Sequence, residues 1–387
     1  MSDVYILGID MIKFGRFPEE TPATLGAQAA LMALDDAGLG MRDVEALYSG
    51  CLLGANAAVG QQILALIGQT GIPVTNSANA CATGATAFRE AWISIKAGLH
   101  DIVLVTGVDL VSGAGLMIAE AQEGLDPEGL LGSASMPAVF AEVGMDHARK
   151  YGTTFEQFAK VSVKNHHHST MNPKARYQIE TPLEVVMESE MIAYPNTKLM
   201  CSVNVDGAAA AVLVSEKKAR ELGMGRAIKV RASVLTSDPY SPTNVHPEEN
   251  PDIDLLTRNA AAQAFEMAGL GVDDLDLIEL HDCFATAELL HYENLGLCKE
   301  GDAGRLIDEG ETALGGRIPV NVSGGLLSKG HPIGATGVAN IYEVATHLRG
   351  EAGARQVKAA RIGLTHVIGL GSACGVHILE GPSSKSM

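Results

Sequence analysis

The chain has 387 residues, 47% of them hydrophobic and 4% aromatic, enough for two or three lobes or one large duplicated fold. A mean hydropathy of +0.14 excludes a disordered chain, and 46 Asp and Glu against 28 Lys and Arg, a formal charge of −18, oppose a nucleic-acid-binding surface. No apolar run approaches the ~20 residues of a membrane-spanning helix, and the N-terminal MSDVYILGIDMIKFG lacks the basic start of a signal peptide.

In chain order, residues 27–51 (AQAALMALDDAGLGMRDVEALYSGC) predict an apolar-periodic helix, a glycine C-cap, a short acidic link and an apolar strand. Residues 81–107 (CATGATAFREAWISIKAGLHDIVLVTG) predict a helix opened by small residues and leading to a buried strand. A less regular region follows from Val111 to Asn196, with helical character in HARKYGTTFEQFAKVSVKN and a polar loop at NPKARYQ. CSVNVDGAAAAVLVSE then reads as a turn and a buried strand.

The opening pattern returns in residues 259–283 (NAAAQAFEMAGLGVDDLDLIELHDC), and HPIGATGVANIYEVATHLRG from His331 echoes the segment from Cys81. Two collinear echoes indicate an internal duplication. Helices alternating with apolar strands predict α/β layers. The organisation expected is a first half over 1–110 completed by 197–245, an inserted lobe over 111–196, and a second half over 246–387. Halves packed about a pseudo-twofold axis would bring Cys81 and His331 together.

Cys81 follows the turn-rich TNSANA and opens a helix, whose N-terminus offers partial positive charge and free N–H groups. Such a site favours the thiolate, below the unperturbed value of ~8.5. The competing reading is a small cysteine filling a tight helix–sheet contact. His331, between a glycine and a proline, is a turn residue or the base of a Cys–His pair, and its place opposite Cys81 favours the second.

His281, Asp282 and Cys283 stand in HDCF at a strand end, where sites gather in α/β folds. The alternative is a loop packed by Phe284, with Asp282 capping the next helix. His166, His167 and His168 point in different directions on a helix, so they are expected at a C-terminal cap or solvated face, and no metal site is expected. Cys51, Cys298 and Cys374 are expected to be structural or pocket-lining. The six cysteines form no CxxC pair, which suits free thiols in a reducing, cytoplasmic setting.

At these residues the chain resembles a thiolase of the sterol-carrier-protein-2 type. The resemblance runs through NACATGATA around Cys81, NPKA in the inserted lobe, SVNVDGAAAAVL after it, HDCF at Cys283, NVSGGLLSKGHPIGATG around His331 and HVIGLGSACG near the end. It implies a five-layer αβαβα fold of two similar halves, a dimer or tetramer, and a place in lipid metabolism such as fatty acid degradation. The implied reaction is CoA-dependent cleavage of 3-oxoacyl-CoA, or the reverse Claisen condensation.

Residue by residue, Cys81 matches the acylated nucleophile and His331 the histidine that activates it and helps to bind the thioester oxygen. Cys283 matches the thiol that exchanges a proton with the α-carbon. His281 replaces an asparagine of many other thiolases, and Gly371 matches the glycine whose N–H, with that of Cys81, completes a second oxyanion hole. The late CxG cysteine of ordinary thiolases falls at Gly369, so Cys283 must supply that thiol.

CoA is implied as a substrate, with no tightly bound cofactor. Arg149, Lys150, Lys164, Lys174 and Arg176 of the inserted lobe are the candidates for its phosphates. A different reaction class is a thiolase-like retro-aldolase acting with a small OB-fold or zinc-ribbon partner. Such relatives tend to lack the nucleophilic cysteine, so Cys81 favours the acyltransferase. A non-catalytic CoA- or lipid-binding scaffold is opposed by the complete reactive set.

Overall fold

The computed structural model describes residues 2–113, 136–239, 253–370 and 373–382. Its strands are β1 (Val4–Met11), β2 (Ala46–Gly50), β3 (Val74–Ser77), β4 (Ile102–Leu110), β5 (Met191–Ala193), β6 (Asn196–Thr197), β7 (Asp206–Ser215), β8 (Ile228–Thr236), β9 (Leu277–Glu279), β10 (Ile362–Gly369) and β11 (Ala373–Glu380). Its helices are α1 (Pro22–Ala37), α2 (Val59–Ile67), α3 (Thr83–Lys96), α4 (Met136–Tyr151), α5 (Phe155–Thr170), α6 (Leu183–Glu188), α7 (Glu216–Leu222), α8 (Ile253–Ala268), α9 (Ala285–Asn294), α10 (Ala303–Asp308) and α11 (Ile333–Leu348). None of the described helices is long and apolar enough to cross a membrane.

Nine strands are hydrogen-bonded in the order β3-β2-β4-β7-β1-β8-β11-β10-β9. Among the described residues the two sets of strands meet through a short β1–β8 pairing, Tyr5 with Lys229 and Ile6 with Ile228. β8 lies in the stretch assigned by sequence to the first half, yet it runs beside β11 from Cys374 to Glu380. Three apolar clusters sort the elements into five layers. One joins α1 and α2 to the outer face of the first strands, one encloses α3 and α11 between the two sets, and one joins α8 and α9 to the second set.

This layering explains the apolar run of β7, which is covered on both faces. Ala209, Ala211 and Leu213 join the central cluster, while Ala208, Ala210, Val212 and Val214 join the outer one. Successive strand side chains point to opposite faces, so an unbroken apolar strand is what a middle layer requires.

The duplication is visible in the local chemistry of each half. α1 ends at Gly38 (φ 67°) and α8 at Gly269 (φ 65°). In each half the next glycine donates its N–H to an aspartate three residues on, Gly40 to Asp43 at 2.9 Å and Gly271 to Asp274 at 2.8 Å. The echoed helices α3 and α11 pack against each other through their glycines. A Cβ on Gly84 would stand 2.6 Å from the Gly334 carbonyl oxygen, and one on Gly337 2.3 Å from the Ala85 nitrogen.

The described part of the inserted lobe contains α4, α5, α6 and the β5–β6 hairpin. α5 packs against α6, α9 and a π-helical turn at Gly325–Lys329, just ahead of α11.

Candidate active site

Cys81 stands on a tight turn between β3 and α3, two residues ahead of the helix that sequence expected it to open. Asn79 holds the turn: its N–H donates to Thr83 Oγ1 at 2.8 Å and its side-chain amide to Thr86 Oγ1 at 3.0 Å. Ala80 takes φ 44°, a left-handed conformation that costs a non-glycine residue roughly 1–3 kcal/mol. The packing of α3 and the hydrogen bonds of Asn79 hold it there.

His331 follows the π-helical turn and Gly330, whose φ is 116° and whose missing Cβ leaves room for Val205. The His331 N–H donates to the Val203 carbonyl at 2.9 Å. The Thr336 hydroxyl donates to the Pro332 carbonyl at 3.0 Å, so its oxygen accepts the Nδ1–H of His331 at 2.7 Å. That network assigns the proton to Nδ1 and leaves the Nε2 lone pair free. Beneath the turn, Lys329 is 1% exposed, with Nζ 3.7 Å from Glu279 and 4.0 Å from Glu343. Glu343 in turn meets the Arg355 guanidinium at 2.5 Å.

His281 and Cys283 follow β9. The Asp282 between them does not cap α9, whose N-cap is Phe284 without a side-chain bond. Its carboxylate instead accepts the Leu326 N–H at 2.7 Å and the Asn165 side-chain amide at 2.8 Å, tying the HDCF segment to the π-helical turn and to α5. The Cys283 carbonyl accepts the Ser202 N–H at 2.9 Å.

These segments converge. One side-chain ligating atom each from Cys81, His281 and His331 lies within 4.8 Å of the others, and the two imidazoles meet edge-on with centroids 5.3 Å apart. All three, with Cys283, line a cavity of about 640 Å³. Its wall is mostly apolar and includes Phe140, which carried no sequence signal, and Tyr177, Leu199 and Cys201, which lie near NPKA and SVNVDG in the sequence. Gly371 lies outside the described residues.

The electrostatics correct one sequence expectation. Burial, with the nearby Asp109 carboxyl adding, pushes the Cys81 thiol up to about 12. The direction is opposite to the lowering expected from the sequence. Burial also drops His331 to about 3, with Lys329 contributing, and holds His281 well below the usual imidazole range, with His331 and His291 contributing. Cys283 is raised well above an ordinary thiol by burial and by Cys81 and Asp282. All four shifts favour the neutral forms, two thiols and two imidazoles.

Asp109, at the end of β4, is a residue that sequence reasoning missed. Its carboxylate accepts the N–H groups of Leu52 and Leu53 at 3.0 Å and of Gly334 at 2.7 Å, so it ties the first half to the start of α11. Cys51 donates its thiol to the same carboxylate at 3.3 Å, which gives it a structural place away from the cavity. His291 and His366 were also missed. They are buried behind His281 and meet edge-on at 4.5 Å.

Of the three adjacent histidines, only His167 matches the solvated expectation, pairing with Glu180 at 2.7 Å. His168 is buried, with Nδ1 on the Asn321 carbonyl at 3.0 Å and Nε2 accepting the Leu314 N–H at 3.0 Å. His166 lines the cavity. Both are interior because α5 is wedged among α6, α9 and the π-helical turn.

The candidate phosphate ligands separate equally clearly. Lys164 is buried with Nζ 2.7 Å from Glu288, so it cannot reach a phosphate in solvent. Lys174 is engaged by Asp10 and by the Met11 carbonyl at 2.6 Å. Arg149 and Lys150 are exposed and pair with Asp146 and Glu300. Arg176 is exposed beside Tyr177, 5.4 Å from that ring, and Lys198, unmarked by sequence, lines the cavity.

Residues 4–197 match the family profile described as "Thiolase, N-terminal domain", and residues 243–381 match "Thiolase C-terminal domain-like". The chain is 38% identical to an acetyl-CoA acetyltransferase of Methanothermobacter thermautotrophicus, over 98% of this chain and 100% of that one. It is 39% identical to sterol carrier protein 2 of Bos taurus, over 97% of this chain and 72% of that one. Among solved structures, the "Ltp2-ChsH2(DUF35) aldolase" has the same fold, with a TM-score of 0.82 at 23% identity over 99% of this chain and 98% of that one.

Proposed function

The chain belongs to the thiolase family, and we propose that it moves acyl groups between CoA thioesters through a Cys81 acyl-enzyme. The overall reaction is CoA-dependent cleavage of a 3-oxoacyl-CoA or the reverse Claisen condensation. The observation that carries this reading is the convergence of Cys81, His281, Cys283 and His331 on one apolar cavity.

In the cleavage direction, the Cys81 proton passes to the free Nε2 of His331 as sulfur attacks the 3-oxo carbonyl carbon. The resulting oxyanion collapses and the bond between the carbonyl carbon and the α-carbon breaks. Cys283, a thiol at rest, protonates the α-carbon of the departing acetyl-CoA, and His281 and His331 stabilise its enolate oxygen. CoA then attacks the acyl-enzyme, giving up its thiol proton to Cys283, and Cys81 leaves as its sulfur takes back the proton held on His331. Donors aimed at each oxyanion are worth ~10²–10³ in rate. Two or four copies of the chain, working in the cytoplasm on CoA as substrate rather than resident cofactor, belong to the same reading.

A retro-aldol lyase on this fold would need no acyl-enzyme. Intact-mass measurement after mixing with acetyl-CoA separates the two. An acetyl adduct on the wild-type chain that disappears in Cys81→Ala is expected. An adduct on the variant would overturn the assignment, and carbon–carbon cleavage without CoA or adduct would favour the lyase.

A further inference from the structure

We propose that Cys81, His281 and His331 together form a site for one borderline-soft divalent cation, zinc above all, and that its occupancy blocks the nucleophile. The three ligating atoms come from three turns far apart in sequence and lie within 4.8 Å of one another. Zinc holds sulfur at ~2.3 Å and imidazole nitrogen at ~2.0 Å, so a tetrahedral shell needs its ligands roughly 3.5 Å apart. Binding would draw the ligands together by roughly 1 Å.

Two further observations point to a ligand. His281 is 2% exposed, and neither of its ring nitrogens has a hydrogen-bond partner among the described residues. Buried polar atoms ordinarily find one, so a doubly unpartnered imidazole facing a thiol and a second imidazole is an unfilled donor set. The Nδ1–H of His331 is held by Thr336 at 2.7 Å, which leaves Nε2 to ligate. A second ring nitrogen fixed on an oxygen is the usual orientation of a metal-bound histidine. One sulfur and two imidazoles suit zinc or cobalt, and the fourth position opens into the cavity.

On binding, the S–H bond of Cys81 breaks, its proton leaves to solvent, and a sulfur–metal bond forms without redox change. The same sulfur cannot then be acylated. Binding is measured without CoA, so the site stands or falls separately from the proposed reaction.

The test is titration of the chelator-treated full chain with cobalt chloride, followed by zinc chloride. One cobalt per chain is expected, with a sulfur-to-cobalt charge-transfer band that zinc erases. Cys81→Ser should lose that band while circular dichroism stays unchanged. Thr336→Val keeps all three ligands and should lower metal affinity ~10–100-fold. Zinc should also shield Cys81 from iodoacetamide until EDTA is added. No charge-transfer band in the wild-type chain would overturn the proposal. So would binding unchanged in both Cys81→Ser and His281→Ala, which would place the ion on a surface pair such as His167 and Glu180.

Discussion

Gly84 and Gly334 hold the same position in the two halves of the duplication, and they are in contact: a Cβ on the first would fall 2.6 Å from the carbonyl oxygen of the second. Cys81 lies three residues before one and His331 three residues before the other. The separation of the reactive pair is thus set by how closely two backbones approach.

Gly84→Ala should therefore force α3 and α11 apart. Overpacking of this kind costs about 1–3 kcal/mol, and a displacement near 1 Å can cost ~10²-fold in rate. Urea unfolding and CoA-dependent thiolysis measure the two effects. Gly225→Ala is the control, since an added Cβ there meets nothing.

The alkylation of Cys81 should depend on pH without a plateau near neutrality. The thiol is raised to about 12, so its ionised fraction climbs about tenfold per pH unit between 7 and 10. Iodoacetamide labelling of Cys81, read by peptide mass, checks this. A plateau below pH 8 would show a thiolate–imidazolium pair already formed in the free enzyme.

Cys283→Ala should still accept an acyl group on Cys81, because His331 and Cys81 remain in place. Exchange of the α-protons of acetyl-CoA with deuterated solvent should fall by at least ~10², the range of a lost acid–base group. Exchange at the wild-type rate would assign the proton transfer to another residue.

Glu343→Gln tests the buried charges beneath His331. The change leaves the buried Arg355 without its carboxylate, and breaking such a pair costs about 3–5 kcal/mol. In the wild-type chain Arg355 and Lys329 hold Glu343 down at about 2 against burial. A depressed carboxyl stabilises the fold fully above its unfolded value of ~4.3, and the contribution is lost as pH falls toward 2. The fall in denaturant midpoint from pH 7 to pH 3.5 should therefore be smaller in the variant than in the wild type.

Much of this was legible in the sequence because it rests on local pattern. The helix, glycine cap, aspartate link and strand of each half are short-range chemistry, and the repeated GAT placed Cys81 opposite His331. What the sequence could not show depends on burial from several elements at once. The ionisation of Cys81 is governed by enclosure and by Asp109, which no motif flags. Lys164 and His168 look solvent-facing as text, and only the packing of α5 makes them interior. The capping alternative for Asp282 is not what forms, for a related reason: its partners, Leu326 and Asn165, lie 44 and 117 positions away.

The neutral resting state of Cys81 has a consequence for the protein's durability. Peroxide and other oxidants attack thiolates, and a sulfur carried past the sulfenic stage is not readily recovered. A nucleophile that keeps its proton until it attacks an acyl-CoA offers oxidants very little anion. The enclosure that disfavours the Cys81 thiolate therefore protects that sulfur between turnovers.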